Sequence, residues 1–130
     1  MTAASSQTIS SSPAAKPPAE FEPAIDLVHL ARQTMDDPAL ENELLEMFDR
    51  QSGRIVAELI NTGQGGAKAR ANQAHKLRGS ALAIGAHRVA RAAQALEESY
   101  LSGSPEQARL LHDLAQAVAE ARAEIGRLAH

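Results

Sequence analysis

The sequence predicts an all-α protein: an antiparallel up-and-down four-helix bundle with a short extra N-terminal helix. Apolar residues recur at helical spacing through four long stretches, and no stretch alternates as a strand would. The connections between those stretches are short, which suits neighbouring helices that reverse direction. Hydrophobic residues make up 44% of the chain and aromatic residues only 2%, so Ala, Leu, Ile and Val must build the core, with Phe21, Phe48 and Tyr100 as the only rings. Closely packed helices use such residues better than a sheet does.

The chain of 130 residues is long enough for one domain and short for two. Residues 1–23, rich in Ser, Ala and Pro, read as a disordered leader, because so polar a segment cannot bury enough surface to offset its ordering entropy. The bundle is expected over residues 24–130. Its first element is a short helix over residues 25–34, with Ile25, Val28, His29 and Ala31 suited to packing across one end of the bundle. Asp37 then caps a second helix that runs to about Asn61. Pro38 stands in its first turn, where a missing N–H costs nothing, and Leu40, Leu44, Phe48, Ile55 and Leu59 lie near one face.

The run "NTGQGGAK" ends that helix. It lacks the Lys-Ser or Lys-Thr of a phosphate-binding loop and follows a helix instead of a strand, so it reads as a connection. A third helix over residues 67–84 buries Ala67, Ala71, Ala74, Leu77, Ala81 and Ile84 and stops at Gly85. The fourth, over residues 87–101, buries Val89, Ala93, Leu96 and Tyr100. "GSPEQ" signals the last start, with Ser104 as cap, Pro105 in the first turn and Gln107 completing a capping box. Leu110, Leu114, Val118, Ala121, Ile125 and Leu128 carry the final helix.

Thirteen Lys and Arg against sixteen Asp and Glu give a formal charge of −3, with the basic residues scattered, so nucleic acid is not an expected partner. The absence of cysteine excludes disulfides, a thiolate nucleophile and Cys-based zinc sites, and fits a reducing compartment. Without a signal-peptide pattern or an apolar run of membrane length, the chain reads as cytoplasmic and not membrane-bound. His29, His87, His112 and His130 lack partners at ligand spacing and read as surface or boundary residues. No metal site is expected.

The stretch "AHKLRGSALAIGA", residues 74–86, carries the chemistry. Gly79 sits inside the third helix, where glycine costs roughly 1 kcal/mol relative to alanine. One turn before it lies His75, placed by the helical wheel at the flank of the buried arc and partly exposed. A position without a side chain there leaves room for another protein to reach the imidazole. Lys68 and Leu82 continue the same stripe, bordered by Asn72 and Arg78. A neutral imidazole is a nucleophile, and Arg78 could pair with phosphoryl charge. Glu97 on the fourth helix is a candidate to hold Nδ1–H and leave Nε2 free.

These residues resemble the signature of histidine-containing phosphotransfer (HPt) domains: His75, a basic residue at Arg78, then Gly79, Ser80, Ala81 and a second glycine at Gly85. The resemblance extends from about residue 25 to the C-terminus. It implies phosphoryl relay between receiver-domain aspartates through a phosphohistidine, with His75 as phosphoacceptor and Arg78 in place of the commoner lysine. Glu97 matches the position of a Glu or Gln that bonds the other ring nitrogen. Implied partners are response-regulator receiver domains, including that of a hybrid histidine kinase. The chain itself needs no cofactor, since magnesium belongs to the partner receiver.

The expectation is therefore a stand-alone, monomeric phosphocarrier without kinase activity, in which Lys68, Asn72, Gly79 and Leu82 serve docking. Two rival readings keep the bundle: an adaptor that binds a receiver or kinase domain without phosphohistidine, and a helical oligomerisation module.

Overall fold

The structure, a computed structural model, describes residues 22–61 and 65–129. The leader up to residue 21, Phe21 included, lies outside the described residues, as do the middle of the glycine-rich connection and His130. Five helices and no strand are present among the described residues: α1 (Leu27–Thr34), α2 (Pro38–Ile60), α3 (Ala67–Ile84), α4 (His87–Ser102) and α5 (Gln107–Leu128). The four long helices close a ring of neighbours, α2 against α3, α3 against α4, α4 against α5 and α5 back against α2, while α1 rests on α2 and α3. None of them is long and apolar enough to cross a membrane.

The core is aliphatic and small. Leu77, Ala74 and Ala81 of α3 and Leu96 and Ala93 of α4 are all sealed from solvent, and Phe48 and Ile55 of α2 and Leu114 of α5 are buried with them. Alanine on both sides of the α3–α4 contact lets the two backbones approach closely, so this is the tightest seam of the bundle. Tyr100 is buried near the end of α4 with the Arg70 guanidinium 6.0 Å from its ring centre, and burial raises the phenol above its ordinary range.

Local signals account for several boundaries. The Asp37 carboxylate accepts from the backbone N–H groups of Ala39 and Leu40, and Pro38 opens α2 as expected. Helix α3 ends on Gly85, whose φ of 79° is the left-handed conformation that glycine adopts without strain.

Other details differ from the expectation. In α1, Asp26 is the cap and Ile25 is buried ahead of the helix; Leu30 and Thr34 face the core, while Val28 is exposed. In α2 the buried stripe runs through Leu45 and Ser52 as well as Phe48, Ile55 and Leu59, because Leu40 faces solvent and Leu44 only skirts the core. Ala67 is exposed in the first turn of α3. Helix α5 starts at Gln107, later than its start signal. Ser104 Oγ accepts from the Glu106 N–H within a turn, and the Gln107 amide donates to the Ser99 carbonyl on α4 at 3.2 Å, so no capping box forms. A tertiary acceptor has taken the side chain that would have closed the box.

Candidate functional site

Helix α3 turns Ala71, Ala74, Leu77 and Ala81 inward, and the same periodicity turns His75, Gly79 and Leu82 outward. The His75 side chain is 64% exposed. Beside it on α4, Glu97 follows the buried Leu96 and sits at the edge of the α3–α4 seam, its side chain only 19% exposed. Its two carboxylate oxygens lie 3.2 and 3.4 Å from His75 Nδ1. A carboxylate only accepts, so the tautomer assigned by this contact is Nδ1–H, which leaves the Nε2 lone pair directed to solvent. The imidazole is thus held from behind and open in front.

Arg78, one turn from His75, approaches the same carboxylate with Nη1 4.0 Å from Glu97 Oε1. His75, Arg78, Gly79 and Leu82 line one shallow open depression. Space around Gly79 is free: a Cβ built there would meet nothing within 4 Å. Leu82 is 44% exposed and supplies the apolar part of the rim. Imidazole, guanidinium, a bare stretch of backbone and an apolar contact therefore share one surface, and such a surface can receive a phosphoryl group carried by a second macromolecule.

The other two expected docking residues fall elsewhere. Asn72 is exposed and lines a different depression between α2 and α3, with Glu58, Leu59 and Gln73 among its neighbours. Lys68 is exposed two turns before His75 on the same stripe, outside the residues that line the depression.

Sequence reading did not find the support behind the site. The Ser80 hydroxyl donates to Gln51 Oε1 at 2.5 Å, tying α3 to α2 one residue beyond Gly79. At the end of α3, His29 of α1 contacts the Leu82 carbonyl through Nε2 at 2.7 Å, and the Asp26 N–H donates to the Gly85 carbonyl at 2.9 Å. His87 Nε2 stands 3.1 Å from Asp26 Oδ2, and the His29 and His87 rings meet edge to face with centres 5.5 Å apart. An aspartate just before an apolar-periodic run is a readable cap signal, but its pairing with a histidine 61 positions on has no sequence signature.

Two carboxylates of this N-terminal segment titrate low. Asp26 is held below the usual aspartate range first by the His29 backbone N–H and then by His87. Glu22 is lowered by its hydrogen bond to Arg91, which pins the start of the described chain to α4. Among the described residues, no three His, Cys, Asp or Glu side chains gather as a metal site.

Against known proteins, the family model described as Hpt domain matches residues 40–129. The chain is also similar to an X-ray structure from rice of a candidate histidine-containing phosphotransfer protein. The match has 19% identity and a TM-score of 0.57, and it covers 82% of this chain and 74% of that one. At that identity the likeness speaks for the fold. No curated protein matches the chain.

Proposed function

Because the chain belongs to the Hpt domain family, we propose that it is a phosphorelay intermediate that accepts a phosphoryl group on His75 from a receiver-domain aspartate and passes it to another receiver. The observation that carries this reading is the held imidazole: Glu97 on Nδ1, Nε2 open, and no side chain at Gly79 to obstruct approach.

In the transfer, the Nε2 lone pair attacks phosphorus in line, the bond from phosphorus to the aspartyl oxygen breaks, and its electron pair leaves on the aspartate. The Nδ1 proton stays where it is, hydrogen-bonded to Glu97, which offsets the positive charge that the imidazole gains. Arg78 faces the negative charge spread over the phosphoryl oxygens. The reverse sequence delivers the group to a second receiver. Magnesium, in this reading, stays with the receiver and stabilises its side of the reaction.

The same reading takes the four long helices as an antiparallel up-and-down bundle. The ring of neighbours supports it, and so does the connection between α3 and α4, which consists of Gly85 and Ala86 alone. The sheltered face of α3 then holds the histidine rigid while its outer face meets the partner, with Leu82 as the apolar contact.

Incubation with phosphoramidate, followed by intact-mass and phosphosite measurement, tests the proposal. One acid-labile phosphoryl group is expected at His75, absent in a folded His75→Gln variant. A folded wild-type chain left unmodified at His75 by phosphoramidate and by phosphorylated receivers alike would transfer the case to the adaptor reading.

A further inference from the structure

Glu97 carries the argument beyond that reading, on which this inference rests. Its carboxylate is largely sheltered, and among the described residues it has two polar partners, His75 Nδ1 and Arg78 Nη1. A sheltered carboxylate is costly to leave short of donors. The 4.0 Å contact with Glu97 is an ion pair without a hydrogen bond, and Arg78 makes no other ion pair among the described residues, so its guanidinium N–H groups are uncommitted. Its side chain is 36% exposed and borders the depression into which Nε2 opens. A phosphoryl group on Nε2 and the Glu97 carboxylate would therefore both call on the same cation.

We propose that Arg78 is a bridging cation, which keeps one nitrogen on Glu97 while its remaining N–H groups take the oxygens of the phosphoryl group on His75. The planar guanidinium presents five N–H donors in a fixed fork and can serve two anions from two edges, whereas a lysine ammonium is a compact point charge. With lysine at this position, one anion is served at the other's expense. Arginine at position 78 therefore couples the orientation of the imidazole to retention of the phosphoryl group. Before transfer it positions Glu97; after transfer it also touches the group being carried.

The competition makes the test specific. Wild type, Arg78→Lys, Glu97→Gln and the double variant are phosphorylated with phosphoramidate, cleared of donor, and followed by intact mass to give the phosphohistidine lifetime of each. Far-UV circular dichroism confirms that each is folded. With Glu97 present, lysine should shorten the lifetime by roughly threefold or more, the scale of a weakened charge-assisted hydrogen bond. In the neutral Glu97→Gln background the lysine is released from its second demand, and the Arg78→Lys penalty should shrink to within error.

An equal penalty in both backgrounds would mean that Arg78 acts on the phosphoryl group alone. That result overturns the bridge, as does a penalty absent from both backgrounds or larger in the Glu97→Gln one. If wild type takes no phosphoryl group at His75, the proposed function itself fails and the bridge falls with it. A phosphorylated wild type with equal penalties removes only the bridge.

Discussion

Open space surrounds the Cα of Gly79, so its role does not lie in the packing of the isolated chain. Gly79→Ala should raise stability by up to about 1 kcal/mol, since alanine is the better helix former and no neighbour must move; a thermal melt reads the gain. Gly79→Leu should still fold and still accept phosphoryl from phosphoramidate, while transfer from a phosphorylated receiver falls at least tenfold, because the larger partner needs the cleared backbone. A variant equally good with both donors would show that nothing docks across position 79. This residue was legible in the sequence because a glycine with a cost and no local purpose stands out. Lys68 and Asn72 were placed beside it by wheel position alone. A stripe several turns long spans more surface than one depression does, and Asn72 turns instead toward α2.

At the scale of elements, the short α1 shows where a sequence stops being readable. Its existence was legible in the apolar spacing of residues 25–34, whereas its cap, Asp26, was not read. Its buried face follows from what it lands on: Leu30 and Thr34 turn inward and Val28 outward once the segment is tied to the α3–α4 turn. Gly85 serves that attachment as well as the end of α3, since a Cβ there would stand 2.8 Å from the Asp26 carbonyl oxygen. Gly85→Ala combines a left-handed φ with that clash and should cost about 1–3 kcal/mol in chemical unfolding.

Asp26→Ala should destabilise by about 1 kcal/mol near neutrality through loss of the cap. Because the folded Asp26 carboxyl titrates below its unfolded value of about 3.9, its contribution is complete above that value and is lost as pH falls through the folded one. Melting curves of wild type and variant should therefore stay apart from pH 7 to about 5 and converge in stronger acid. The late start of α5 has the same origin as the details of α1: Gln107 satisfies a carbonyl on another helix, which no neighbour in sequence announces.

For the molecule as a whole, the fold class was plain in the sequence because an alanine- and leucine-rich chain with 3.6-residue periodicity has few ways to bury itself other than helix on helix. The link across the α3–α4 seam from Glu97 to His75 was already a candidate there, because Glu97 borders the buried stripe of α4; the ties of Ser80 to Gln51 and of Asp26 to His87 were not, since they depend on which helices become neighbours. Leu96→Ala, adjacent to Glu97 and fully buried, should cost about 2–5 kcal/mol in unfolding. It should also slow phosphorylation of the folded fraction by loosening Glu97 behind the imidazole, whereas Leu114→Ala should reproduce the stability loss and leave that rate nearly unchanged. Stopped assays at a temperature well below both melting points separate the two.

The lone Tyr100, sealed on α4 with Arg70 over its ring, has an optical consequence in a chain that has no tryptophan. The protein has almost no intrinsic emission of its own at the wavelengths where an indole glows. A single tryptophan placed at Leu82 would shine alone at the mouth of the site, and a receiver offered to the chain would reveal any docking there by the light it shifts or quenches.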